Sequence, residues 1–445
     1  MEQLFKRKIY SRILDWKRSE GKSALLIEGA RRVGKSTIVK EFAKREYKSF
    51  ILIDFSNASK EIQELFDDVS DLNFFFLRLQ ALSGVSLYQR ESLIVFDEVQ
   101  FAPRARQAIK HLVADGRYDY IETGSLISIR KNVKDILIPS EEHRIQMNPM
   151  DFEEFQWALG FENIGDLMRE FIARRHPLGN ATHRKMMRDF RLYMLVGGMP
   201  QAVETYIESN DFRRVDDVKR TIVSLYNDDF MKIDPSGRIS RLFNAIPSQL
   251  YANASRYMPH SVVEGDSGFI MTAMSELMES RTINIAWHAT DPGPMMSANY
   301  DAGRFKLFTA DTGLFVTLAF MDDSYMSNNL YRKLLSDKLE TNLGYVYENA
   351  VSQILVAQGK KIFYYTFDNP NKTGKYEIDF LVQDHGKVDP IEVKSSGYNQ
   401  HKSLDAFCAR YSSRIHQAYC VTPKDRTNDS QIINLPFYLL PFLFD

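Results

Sequence analysis

Apolar positions along this chain fall into two kinds of pattern, and their alternation predicts the first domain. Residues 24–27 form an unbroken apolar run that stops at Glu28 and a loop opened by Gly29. From 36 to about 45 the apolar residues Ile38, Val39, Phe42 and Ala43 recur at the spacing of one helix face. Further apolar runs lie at 50–54, 93–98 and 120–125, with a helical stretch at about 104–115 before the last. Strands apolar at every position need cover on both faces. This order therefore predicts an α/β domain over 1–150, a parallel sheet flanked by helices.

Beyond Pro149 the pattern changes. Residues 151–235 read as mostly helical, broken by Gly197-Gly198-Met199-Pro200, a stop signal. Between 236 and 325, short helical patterns precede a strand-like 282–287, a turn rich in Pro, Gly and Ser at 291–299, and a strand-like 304–308. Helices followed by a hairpin suggest a winged-helix module. From 330 to 445 a helix at about 341–358 leads to strands at 361–366, 376–383, 388–394 and 416–422, with a helix between the last two. That order predicts a second, mixed α/β domain.

Composition narrows the function classes. An apolar fraction of 44% and a charged fraction of 26% are ordinary for packed soluble domains. A net charge of −1 gives the whole molecule no field that seeks a polyanion, so any DNA contact must come from a local patch. In 240–320 the bases Arg241, Arg256, Arg281, Arg304 and Lys306 face a larger set of acids, among them Glu264, Asp266, Glu276 and Glu279. That balance weighs against strong phosphate contact and leaves DNA and a protein partner both open. Arg213-Arg214 to Lys219-Arg220 is more basic, and a solvated helix face explains it equally well. Cys408 and Cys420 lack metal-ligand spacing and read as free thiols in a reducing compartment. The first residues carry no apolar signal segment, and no run approaches the ~18 apolar residues a membrane helix needs. The expectation is a cytoplasmic protein with no membrane partner.

Chemistry enters at Gly29-Ala30-Arg31-Arg32-Val33-Gly34-Lys35-Ser36, which matches G-x-x-x-x-G-K-[ST] between a strand and a helix start. Glycines let backbone N–H groups wrap phosphates, and the helix N-terminus adds partial positive charge. Lys35 is expected to reach the β- and γ-phosphates, and the Ser36 hydroxyl to ligate Mg²⁺. Asp97 and Glu98 end the third apolar run. Asp97 can hold the magnesium through water, and Glu98 can orient or deprotonate the attacking water. Thr123-Gly124-Ser125 ends the fourth, where a small hydroxyl, assigned to Ser125, can sense the γ-phosphate. Arg130 and Arg144 are the candidates for a charge-stabilising arginine, acting within one subunit or on a neighbour's nucleotide in an oligomer.

The run 29–37, which closes on Thr37, resembles the AAA-type ATPases of bacterial and archaeal genomes that carry a C-terminal domain of uncharacterised function. So do Val95-Phe96-Asp97-Glu98-Val99-Gln100, Thr123-Gly124-Ser125, Asn148 to Phe155 and Gly197 to Pro200. The resemblance implies ATP rather than GTP, bound by residues 29–37 including Thr37. It also implies a winged-helix segment and a restriction-endonuclease-like end. Gln100 would contact the γ-phosphate or relay its loss, or else serve as a helix-facing polar residue. The family usually shows Gly-Arg where this chain has His143-Arg144, so the arginine is kept and the glycine is not.

Glu377-Ile378-Asp379-Phe380 followed by Ile391-Glu392-Val393-Lys394 resembles the D…(D/E)-x-K core of restriction-endonuclease-like nucleases. Strand alternation sets Glu392 and Lys394 on one face. Asp379 and Glu392 could then share Mg²⁺, with Lys394 activating or positioning water. Glu348, on the preceding helix, matches the acid this fold often adds as a further ligand, while Ile378 replaces the usual proline. Two outputs follow: an ATPase whose nucleotide state controls a nuclease-like domain, or a non-cleaving regulatory ATPase that docks partners.

Overall fold

The computed structural model describes residues 4–19, 22–124, 141–252, 255–321, 328–336, 344–369, 374–396, 401–426 and 431–444. The chain divides into two compact units. Unit 1 comprises Met1–Asn148 with Glu279–Arg281, and unit 2 comprises Pro149–Met278 with Thr282–Asp445.

Unit 1 holds a five-stranded parallel sheet. Its strands are β1 (Ala24–Glu28), β2 (Ser49–Asp54), β3 (Ser92–Asp97), β4 (Asp119–Gly124) and β5 (Glu142–Gln146), in the order β2-β3-β4-β1-β5. Every residue of β1, β3 and β4 is buried, which is why β1 and β3 carry unbroken apolar runs, Ala24 to Ile27 and Leu93 to Phe96. One core cluster joins Leu26, Ile53, Phe55, Phe66, Phe75 and Phe96. Its rings meet edge to face: Phe55–Phe66 at 5.6 Å, Phe66–Phe75 at 5.4 Å and Phe66–Phe96 at 5.5 Å. The helix Lys35–Glu46 buries Ile38, Val39, Phe42 and Ala43, the face read from the sequence. β5 escapes that reading because it is an edge strand in which Ile145 alone is fully buried.

Unit 2 begins with helices. The first, Phe152–Ala158, starts on a capping box: Glu154 N donates to Asp151 Oδ1 at 2.9 Å and Asp151 N donates to Glu154 Oε2 at 3.1 Å. The stop at Gly197-Gly198 separates the helices Asn180–Val196 and Pro200–Ser209. There Gly198 N donates to Asp311 Oδ2 at 2.5 Å, while Lys219 Nζ donates to Leu195 O at 2.7 Å and Tyr331 Oη at 2.9 Å. The family-like Gly-Gly-Met-Pro is thus a packed junction of the helical part.

A seven-stranded mixed sheet follows: β6 (Ile283–Ala289), β7 (Tyr300–Thr309), β8 (Phe363–Asp368), β9 (Lys375–Asp384), β10 (Lys387–Val393), β11 (Ala418–Thr422) and β12 (Ile432–Pro436). The order is β12-β11-β10-β9-β8-β6-β7. The hairpin read from sequence as a wing therefore shares one sheet with the C-terminal strands, through parallel pairing of Trp287 with Phe363 and His288 with Tyr364. The helices Gly344–Ala357 and Lys402–Tyr411 pack on this sheet.

Candidate functional site

The phosphate loop of unit 1 joins the end of β1 to the helix Lys35–Glu46, with Gly34 as its N-cap at φ 97°. A Cβ at Gly29 would come within 2.3 Å of the Met147 carbonyl oxygen, so the chain leaving β5 admits only glycine there. Lys35 is buried, and its Nζ donates to the carbonyls of Gly29 at 2.9 Å and Ala30 at 3.0 Å. The ammonium is thereby held inside the loop. Burial lowers its pKa, and the charges of Glu98 and Asp97 oppose that shift. Ala30, Arg31, Arg32, Val33 and Gly34 complete the loop, with Arg32 at φ 70°, and Thr37 follows Ser36 in the first helical turn.

Ser36 Oγ donates to Asp97 Oδ1 at 2.9 Å, and Thr123 Oγ1 also donates to Asp97 Oδ1. One carboxylate thus links the loop, the end of β3 and the end of β4. The strand stops at Asp97, because Glu98 turns into the left-handed region at φ 54°, and Gln100 Nε2 donates to Glu98 Oε2. Gln100 therefore supports the proposed water-activating acid. A hydroxyl and a carboxylate offer hard oxygen donors, so Ser36 and Asp97 suit Mg²⁺.

Three further candidates remain. Ser125 and Arg130 lie outside the described residues, and Thr123 is the hydroxyl from this segment that reaches Asp97. Arg144, on β5, contacts Glu142 at 3.1 Å and Glu28 at 3.9 Å. Sequence reasoning missed Arg7, which is buried and donates from Nη1 to Val33 O at 2.9 Å and from Nη2 to Asn148 O at 2.7 Å. It braces the phosphate loop against the segment that leaves β5, and no local signal in the sequence marks it. Behind Thr123 lies a buried ion pair in which Arg106 Nε and Nη2 each reach Glu142 at 3.0 Å. Beside it, burial and then the Glu142 charge raise the pKa of Glu122 well above the usual range.

In unit 2, β9 and β10 bring the C-terminal candidates together. Asp379 Oδ2 accepts from Val393 N at 2.8 Å, and Lys394 Nζ lies 2.7 Å from Glu392 Oε1. Glu348 reaches the same centre from the helix Gly344–Ala357, but its partner is Lys306 of β7, 3.7 Å away. Lys306, which the sequence offered only as one of the bases of 240–320, is buried and also lies 2.5 Å from Glu377 Oε1. Burial pushes Glu348 up to about 7 and Glu392 up to about 8, and it also raises Asp379. Although burial would lower Lys306, the carboxylates of Glu348, Glu377 and Asp379 hold it above its ordinary value.

These contacts describe the surroundings of the expected metal set. Glu348 and Glu377 already face an ammonium, Glu392 faces Lys394, and Asp379 holds a backbone N–H. Among the described residues, the His, Cys, Asp and Glu ligand atoms that gather within 4.8 Å of one another belong to Asp384, His385 and His416, not to Glu348, Asp379 and Glu392. Lys306 thus supplies a positive charge to Glu348 and Glu377, while the buried Glu392 Oε2 has no hydrogen-bond partner.

Comparison with known proteins follows the same division. Residues 21–156 match a family model described as an AAA domain. Residues 187–325 and 343–439 match two models described as domains of unknown function, DUF8612 and DUF4143. No curated protein matches the chain. Among solved structures, the Walker-type ATPase paby2304 of Pyrococcus abyssi is similar at 16% identity, over 71% of this chain and 96% of that one, with a TM-score of 0.44. The ORC1 protein of Aeropyrum pernix in complex with DNA is similar at 13% identity, over 76% and 94%, with a TM-score of 0.26. A signal transduction ATPase with a tetratricopeptide repeat sensor, PH0952 from Pyrococcus horikoshii, is similar at 12% identity, over 81% and 50%, with a TM-score of 0.29. Unit 1 contains an AAA-type P-loop domain. Among the described residues, no helix is long and apolar enough to cross a membrane.

Proposed function

We propose that this chain is an ATP-hydrolysing switch in which the nucleotide state of unit 1 governs the activity of unit 2. The observation that carries the reading is the pair of hydrogen bonds that Ser36 and Thr123 donate to one Asp97 oxygen, with Glu98 as the next residue. Loop N–H groups and the helix N-terminus bind the phosphates, and Lys35 offsets the charge on the β- and γ-phosphates. Ser36 and Asp97 would hold Mg²⁺, which when bound neutralises charge on those phosphates. Glu98, supported by Gln100, orients the attacking water and accepts its proton. ATP is the nucleotide assigned, in keeping with the AAA match.

Two outputs suit unit 2. The spacing of Asp379, Glu392 and Lys394 supports a restriction-endonuclease-like centre that acts on DNA. Lys306 favours the other reading, because its ammonium already supplies positive charge among these carboxylates. We therefore favour a non-cleaving regulatory ATPase that docks a protein partner through its 236–325 and 330–445 segments.

Hydrogen exchange across 344–444 tests the switch, comparing Glu98→Gln loaded with ATP against the wild type loaded with ADP. The reading expects different protection in the two states, and identical protection would refute it. In a parallel assay, DNA and RNA are incubated with the full chain and Mg²⁺ or Mn²⁺. They are expected to stay intact; cleavage that disappears in Asp379→Ala would replace the docking output with the nuclease one.

A further inference from the structure

Five residues beyond Asp379 on β9, about 16 Å along the strand at ~3.3 Å per residue, stands a second cluster that the ATPase reading does not use. The hairpin joining β9 to β10 turns on His385 and Gly386, at φ 46° and 71°, the two left-handed positions that a two-residue turn of this kind requires. That turn sets the His385 ring against His416, with centroids 4.8 Å apart and planes inclined by 34°. His385 Nδ1 lies 2.7 Å from Asp384 Oδ2, and His416 Nδ1 lies 3.8 Å from the same oxygen. Lys360 Nζ binds the other oxygen, Asp384 Oδ1, at 2.8 Å, which leaves Oδ2 to the imidazoles.

The backbone around His416 is fixed. His416 N donates to Val388 O at 3.1 Å, and Gln417 N donates to Asp389 Oδ1 at 2.9 Å. Asp389 is fully buried, and its Oδ1 lies 3.2 Å from His416 Nδ1, the position of a carboxylate that orients a metal-binding imidazole.

We propose that Asp384, His385 and His416 form a binding site for a borderline divalent transition-metal ion, with Zn²⁺ the best match. Their ligand atoms all lie within 4.8 Å of one another, close enough to converge on one ion after side-chain adjustment. Two imidazoles and one carboxylate suit Zn²⁺, Ni²⁺ or Cu²⁺ and disfavour Mg²⁺, which prefers oxygen donors throughout. The ion would tie the β9–β10 turn to the start of β11. With His385 largely exposed, it would keep a position open to water or to a ligand from outside.

The test uses the full chain stripped of metal by a chelator, titrated with Zn²⁺ against a chromophoric competitor in the presence of MgATP. Visible spectra of the Co²⁺ form identify the donor atoms. The expected result is one ion per chain at micromolar concentration, with Co²⁺ bands of a nitrogen- and oxygen-ligated site. Affinity should fall by about 10- to 100-fold in His385→Ala and in His416→Gln, with Asp389→Asn weakening it through ring orientation. Circular dichroism checks that each variant is folded, and His385→Ala, exposed on a turn, serves as the variant least coupled to folding. No binding by the wild type, or equal binding by wild type and both histidine variants, would overturn the proposal.

Discussion

Ser36, in the first turn of the helix after the phosphate loop, and Asp97, at the end of β3 and 61 positions further along the chain, share a 2.9 Å hydrogen bond from hydroxyl to carboxylate. The bond sets the metal-ligating candidate of the loop beside the acidic end of β3. Asp97→Asn keeps the shape but removes the charge that would attract Mg²⁺. Nucleotide binding measured by fluorescence titration should lose most of its Mg²⁺ dependence in this variant, while metal-free binding stays close to wild type.

Arg7 is a second support of the same loop. Its two hydrogen bonds reach Val33 and Asn148, and bonds from a charged donor contribute about 1.5–3 kcal/mol each. Arg7→Ala is expected to weaken ATP binding by about tenfold, equivalent to about 1.4 kcal/mol, without removing any group that touches the nucleotide. Isothermal titration with ATP checks it, and an unchanged affinity would show that the loop does not need the brace.

Lys306 holds the acidic centre of unit 2. Its removal leaves Glu348 and Glu377 facing each other without a cation, and breaking a buried pair costs about 3 kcal/mol. Lys306→Met should lower the unfolding midpoint of unit 2, and millimolar Mn²⁺ should restore part of the loss. The wild type should respond little to Mn²⁺. A wild-type response as large as the variant's would show that the ammonium does not stand in for an ion.

The same centre makes stability depend on pH with a definite sign. Burial raises Glu392 from 4.5 to about 8 and Glu348 from 4.5 to about 7 in the folded chain. Between those limits the folded state carries protons that the unfolded state has released, so stability falls as pH rises from about 4.5 to 8. Glu392→Gln cannot release a proton, and its thermal midpoint should decline less over this interval than the wild type's. Parallel midpoint curves would contradict the assignment.

How far the sequence carries depends on what each residue packs against. The phosphate loop, its helix and strands β1 and β3 were legible because central parallel strands carry long apolar runs and the loop's chemistry is contiguous in the chain; β2, though at an edge, keeps the apolar run Phe50 to Ile53. β5 and β12 were not, since an edge strand buries fewer side chains and β12 runs into Pro436. Ser125, read as the γ-phosphate sensor, lies outside the described residues, and the contact of Thr123 with Asp97 was not legible because spacing does not show which residue of the strand end faces that carboxylate. Arg7 and Lys306 were hidden for another reason. Each acts on groups far along the chain, 26 and 141 residues for Arg7 and 71 residues from Lys306 to Glu377. Local patterns record periodicity but not such closures. Asp379, Glu392 and Lys394 lie together at β9 and the end of β10, and the buried cation beside Glu348 and Glu377 is a neighbour that their spacing does not show.

The most direct test of the central claim is steady-state MgATP hydrolysis by the wild type, Lys35→Ala and Glu98→Gln, with ATP binding measured on the same samples. Wild type should turn over, Lys35→Ala should fail to bind productively, and Glu98→Gln should bind ATP while losing turnover by about 10²- to 10⁴-fold, the contribution of a positioned general base. Wild-type turnover in Glu98→Gln, or in Lys35→Ala, would contradict the account.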